Sequence, residues 1–187
     1  GDVAGHGFSC GIQGAMVKAC LLTLVKAGRR PAEILVEVDR VLRAANTGRL
    51  FTSLVLARID PTTGHGVLAN AGHPYPLLVV EGKARELTAS SLPLGKGPAR
   101  IYEETEFELP GAASLVLASD GLFEGPDRFD DPYGYHKPRE VLERVGLWRR
   151  PAASILEALL GDWRAHVGEG EPADDTSVVV VRRTIWS

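Results

Sequence analysis

The chain has 187 residues, 44% of them hydrophobic and 24% charged, with a formal net charge of −3. That balance provides the core of one domain spanning 1–187 and excludes a disordered chain. The slight acidity and the scattered arginines exclude a basic nucleic-acid footprint.

The first residues, GDVAGHG, read as a strand end and a glycine-rich junction into a helix. Taken alone, such a stretch is compatible with a phosphate cradle, a metal-ligand turn, a zinc fragment or an ordinary junction. A start at Gly1, without Met, inside a strand predicts an excerpt from a longer protein. It lacks the basic flank and apolar stretch of a secretion signal, and no apolar run is expected to reach the roughly 18–20 residues that span a bilayer. Phe8 to Ala27 carries only Lys18 and Lys26 as charges, with Ser9 placed to cap it and Gly28 to end it, and so predicts a largely buried helix. Cys10 and Cys20, the two cysteines, would then stand about 15 Å apart along the axis at about 1.5 Å per residue, too far to bridge. Reduced thiols and a cytoplasmic setting follow. Pro31 to Ala45 predicts a second helix, with Ile34, Leu35, Val38, Val41, Leu42 and Ala45 in one stripe.

From Phe51 the period changes to short β-branched segments between Gly and Pro turns: FTSLVLARID, PTTG, HGVLANAG and PYPLLVVEGKARELT, read as antiparallel hairpins. Further strands fit IYEETEFEL and ASLVLASD, the latter apolar on both faces and therefore central. Gly125 to Pro138 reads as a solvated surface loop, with bordering a substrate groove as the alternative. Helices are expected around Arg139 to Val145 and Ala152 to Val167, and TSVVVVRR closes the chain as a strand apolar on both faces. The order of helices and strands is not βαβ alternation. It predicts an α+β fold with antiparallel sheets covered by helices on their outer faces.

Three acidic positions share one context, each beside a strongly apolar strand and a turn: Asp2 in GDV, Asp120 in LVLASDG, and Asp174 with Asp175 in ADDTSVVVV. Carboxylates there are costly to desolvate and repel one another unless a positive group joins them, a need that a hard divalent cation meets through oxygen ligands and water. Each alone also reads as a turn or a solvated cap; the combination is the specific signal. His6, His65, His73, His136 and His166 form neither HExxH nor a cysteine-paired zinc motif, and Ser53 and Ser119 lack a nucleophile-elbow setting.

With GDVAGHG at 1 to 7, FTSLVLARID at 51 to 60, NAGHPYPLLV at 70 to 79, PLG at 93 to 95, LASDGLFE at 117 to 124 and DDTSVVVV at 174 to 181, the chain resembles the metal-dependent PPM phosphatases, the superfamily of protein phosphatase 2C, in its bacterial SpoIIE-like branch. The resemblance implies a four-layer α-β-β-α sandwich, with the first strands missing here, and a binuclear Mn²⁺ or Mg²⁺ centre. By motif position Asp2 is the bridging ligand, the Val3 carbonyl a further one, and Asp120 and Asp174 the other carboxylates; these three aspartates are the catalytic set. Asp175 supports the site from behind its ligands. The cations would lower the pKa of a bridging water for in-line attack on phosphorus, with no nucleophilic side chain. His6 lies four positions beyond Asp2 where the related DGHG pattern has two, so organising the helix start is favoured over acid catalysis. His73 is assigned a structural role. Ser177 stands where Thr is usual.

Relatives carry a further acidic motif, approximately GGDFYD, upstream of GDV. The chain begins after it, so a centre short of one carboxylate and weak in cation binding is expected. The leading expectation is a protein serine/threonine phosphatase acting on a phosphorylated anti-sigma-factor antagonist in sigma-factor partner switching, with an upstream sensor domain. The competing one is a non-catalytic phosphatase-like binding or signalling module.

Overall fold

The computed structural model describes residues 1–45, 50–89, 91–144, 146–168 and 174–184. Val145, the expected end of a helix, lies outside them. The chain divides into two compact units: Gly1–Asp60, His65–His73 and Thr88–Phe107 form the first, and Pro61–Gly64, Pro74–Leu87 and Glu108–Ser187 the second.

The sheet of the first unit has the order β1 (Asp2–Val3), β2 (Thr52–Ile59), β3 (His65–Ala71) and β6 (Glu104–Glu108), with β1–β2 and β2–β3 antiparallel. Its two helices are α1 (Phe8–Lys26) and α2 (Pro31–Ala44). Alternate residues Leu54 and Leu56 of β2 and Ala69 and Ala71 of β3 face Val17 of α1 and Ile34, Leu35, Val38 and Leu42 of α2, four of the six residues read as its stripe; Val41 is half-buried and Ala45, past the helix end, is exposed. Each fully buried leucine there contributes roughly 1.5–3 kcal/mol.

Helix α1 departs from the expectation in three ways. It is not largely buried: its buried residues are Gln13 and Val17, and Phe8, Ile12, Leu22 and Val25 are exposed. Its apolar residues run all round the helix, so packing against α2 uses one side and leaves the others outward. Ser9 does not cap it, because the helix already begins at Phe8 and the N-cap is Gly7, which has no side-chain oxygen. By length and composition it is also long and apolar enough to cross a membrane, against the sequence expectation, although such a test is weak evidence for a span. Its end is as read: Gly28, at φ +70°, donates to the Val25 carbonyl at 3.0 Å.

The second sheet has the order β5 (Lys83–Glu86), β4 (Leu77–Val80), β7 (Ser114–Ala118) and β8 (Val178–Arg182), all neighbours antiparallel. ASLVLASD is therefore central, as its two apolar faces predict. The final strand is an edge, with Val179 and Val181 exposed. Leu77, Val79, Val116, Ala118 and the partly buried Val178 and Val180 share a core with α3 (Asp120–Glu124), α4 (His136–Leu142) and α5 (Ala152–Val167). The sequence reading missed α3 and placed α4 three residues late. The architecture is α+β, two antiparallel sheets with helices.

Candidate functional site

In the first unit Asp2 sits on the edge strand β1 directly opposite Ser53, and Val3 opposite Thr52. The Ala4 N–H donates to the Phe51 carbonyl at 2.9 Å, after which Gly5 and Gly7, at φ +104° and +89°, turn the chain into α1. Those positive angles give the opening glycines their purpose. His6 is exposed and makes no side-chain hydrogen bond among the described residues, so its expected bonds to the turn do not form.

Ser53 is backed by the conformation of NAGH. The Asn70 amide donates to the His73 carbonyl and its oxygen accepts from the His73 N–H, both at 2.8 Å, which presents the imidazole Nδ1 to Ser53 Oγ at 2.9 Å. Burial lowers the His73 pKa to about 4, so the ring is neutral at pH 7. Its structural assignment thereby acquires a partner. PLG is tied to the same strand: Thr52 and Leu94 exchange backbone hydrogen bonds at 3.0 and 2.8 Å. The buried Gln13 amide of α1 donates to Thr52 Oγ1 at 2.9 Å.

In the second unit the β7–β8 ladder runs from Ser114↔Arg182 to Ala118↔Val178 and is extended by the Ser119 N–H donating to the Ser177 carbonyl at 2.9 Å. Past that point one strand enters α3 at Asp120 and the other arrives from Asp174–Asp175. Ser119 Oγ donates to the Asp175 carbonyl at 3.2 Å and accepts from the Ser177 N–H at 2.9 Å. A Cβ on Gly121 would stand 2.5 Å from the Asp175 carbonyl oxygen and 3.1 Å from Thr176 Oγ1, so only glycine permits this approach. Asp120 and the Asp174–Asp175 pair are thus brought together within one unit, Asp120 half-buried and the pair exposed. Asp120 Oδ1 accepts from the Gly121 N–H at 3.1 Å, and Asp174 Oδ1 from the Asp175 N–H at 2.8 Å. Asp2 and Val3 belong to the other unit.

The loop 125–138 is not simply solvated. Tyr133 is buried, its hydroxyl donates to Asp162 at 2.9 Å, and the Tyr133 and Gly134 N–H groups donate to the carbonyls of Gly125 and Phe123 at 2.9 and 2.7 Å. Tyr135, exposed, stacks on Phe123 at 4.4 Å between centroids, one helical turn from Asp120. Burial and then the Glu124 and Asp120 carboxylates raise its pKa, keeping the phenol protonated. The signals for it in the sequence were the aspartates Asp127, Asp130 and Asp131, the aromatics Phe129, Tyr133 and Tyr135, and its place after LASDG.

The donors present suit a hard divalent cation: carboxylates at the joined strand ends, and Thr176 Oγ1, buried without a hydrogen-bond partner beside Gly121. Among the described residues no group of three or more His, Cys, Asp or Glu could hold an ion, so backbone oxygens and water would complete any coordination shell.

The family profile described as Stage II sporulation protein E (SpoIIE) matches residues 1–184. The chain belongs to the SpoIIE family. It is 24% identical over 145 residues to the Stage II sporulation protein E of Bacillus subtilis, covering 78% of this chain and 17% of that protein. It is 25% identical over 125 residues to the phosphoserine phosphatase RsbU of the same organism, covering 66% of this chain and 37% of that one. The chain therefore spans well under half the length of either relative. Among solved structures, the RsbU and RsbW domains of a Mycobacterium tuberculosis protein superpose with a TM-score of 0.83 at 24% identity, covering 98% of this chain and 51% of that one. The PP2C phosphatase domain of SpoIIE from Bacillus subtilis gives 0.76 at 20%, covering 95% and 51%. RsbX in complex with magnesium gives 0.68 at 13%, covering 95% and 75%. The SpoIIE-family chain shares the fold of these phosphatase domains.

Proposed function

We propose that residues 1–187 act as one phosphatase domain that hydrolyses phosphoserine or phosphothreonine in proteins with the help of divalent cations. The observation that carries this reading is the arrangement at the ends of β7 and β8, where Asp120 lies beside Asp174–Asp175 with an unpartnered Thr176 hydroxyl. Asp120 and Asp174 would hold Mn²⁺ or Mg²⁺, with Asp175 supporting them; Asp2 and the Val3 carbonyl take the ligand roles their motif positions imply. When bound, such cations supply a water of lowered pKa and positive charge for the phosphoryl oxygens. The chain's own contribution is to hold the two carboxylate-bearing segments beside each other past the ends of β7 and β8.

A relative named phosphoserine phosphatase and a structural neighbour solved with magnesium support the reaction class and the cation. The RsbU relative and the neighbouring RsbU and RsbW domains support a place in partner switching, for which the motif resemblance implies a phosphorylated anti-sigma-factor antagonist as substrate. Free Cys10 and Cys20 support a cytoplasmic setting. The test is Mn²⁺-dependent phosphate release from a phosphoserine protein by the chain and by Asp120→Asn. Loss of release in the variant is expected; equal turnover removes Asp120 from the ligand set. Calorimetric titration with Mn²⁺ bears on the competing non-catalytic module: uptake at two sites favours the catalytic reading over it.

A further inference from the structure

We infer that the Ser119 hydroxyl is a positioning residue, a latch that sets the separation of Asp120 from Asp174–Asp175; this rests on the cation-site reading above. The β7–β8 ladder ends at Ala118↔Val178, and the last backbone bond beyond it is Ser119 N–H to the Ser177 carbonyl at 2.9 Å. There the strands part, one into α3 and the other from the Asp174 turn. The next ladder rung is supplied by a side chain: Ser119 Oγ donates to the Asp175 carbonyl at 3.2 Å and accepts from the Ser177 N–H at 2.9 Å. Gly121 closes the other side, its missing Cβ leaving room for the Asp175 carbonyl.

Both partners therefore occupy the hydroxyl, and Ser119 is buried at 7% exposure, which leaves no role for it as a nucleophile. The backbone bond from the Ser119 N–H to the Ser177 carbonyl and the β7–β8 ladder do not depend on the hydroxyl. The loss then falls on the geometry of the two acidic segments more than on the fold.

The experiment compares Ser119→Ala and Ser119→Thr with the parent chain by Mn²⁺ calorimetry and by amide hydrogen exchange without metal. Ser119→Ala is expected to weaken Mn²⁺ binding about 10-fold or more, as removal of a group behind a ligand does. It should also speed exchange at Ser177 at least about 5-fold, since the amide loses its acceptor. Ser119→Thr, which keeps the hydroxyl, should restore both. Unchanged exchange at Ser177 in Ser119→Ala overturns the inference, as does Mn²⁺ affinity within about 2-fold of the parent. A parent that takes up no Mn²⁺ overturns the cation reading instead, and the exchange measurement still decides whether Ser119 holds the segment.

Discussion

The two units hold their acidic residues by different means. In the first, Asp2 lies on β1 opposite Ser53 of β2, which is backed by the neutral His73 beyond the end of β3 and by Asn70 on β3. In the second, Asp120 and Asp174–Asp175 stand where two five-residue strands separate, and a hydroxyl and a bare glycine keep them close. A buried imidazole makes the first arrangement sensitive to protons. The second, built from neutral groups and close packing, is sensitive to volume.

The sharpest way to break this contrast is Asp120→Asn, expected to lower Mn²⁺-dependent phosphate release on the order of 100-fold or more without altering the fold, checked by release assay and circular dichroism. Next comes Gly121→Ala. The added methyl meets the Asp175 carbonyl and should cost about 1–3 kcal/mol, read as a fall of roughly 3–10 °C in melting temperature.

Acid tests the first unit. The folded state keeps His73 neutral down to about pH 4, whereas the unfolded chain protonates near 6.5, so the unfolded state binds more protons in that window. Stability should be complete above about pH 6.5 and decline as pH falls toward 4, by at most about 3 kcal/mol, measured by urea titration. His73→Gln should flatten that dependence. Tyr133→Phe removes a hydrogen bond to Asp162 and should cost about 1–2 kcal/mol by the same titration. Smallest of all, Ile12→Ser on the outward side of α1 should change stability by less than about 0.5 kcal/mol.

Much of this was legible from residue order. The stripe of α2, the hairpins after Phe51 and the central position of ASLVLASD each follow from a period and its bounding turns. The sequence grouped Asp2, Asp120 and Asp174–Asp175, each beside an apolar strand; the structure brings the segments of the last two together, while Asp2 belongs to the other unit. What could not be read was anything depending on which apolar face finds a partner. Helix α1 is apolar all round, so its sequence cannot say that Phe8, Ile12, Leu22 and Val25 point outward. VVVV at β8 looks like an interior strand, yet edge position is decided by pairing, not composition. Ser53 and Ser119 carried no signal beyond their motifs, because their importance lies in partners 20 to 58 residues away.

That separation orders events on the ribosome. Ser119 must wait for Asp175 and Ser177, 56 and 58 positions later in the chain, before its hydroxyl finds both partners. At about 5–20 residues per second the interval is roughly 3–12 seconds, during which Asp120 has been made and its counterpart has not. The first unit, whose last residue is Phe107, has by then been synthesised in full. Assembly of the second unit's acidic pair thus waits for the synthesis of β8, and a nascent chain halted before β8 would display Asp120 without the strand that fixes it.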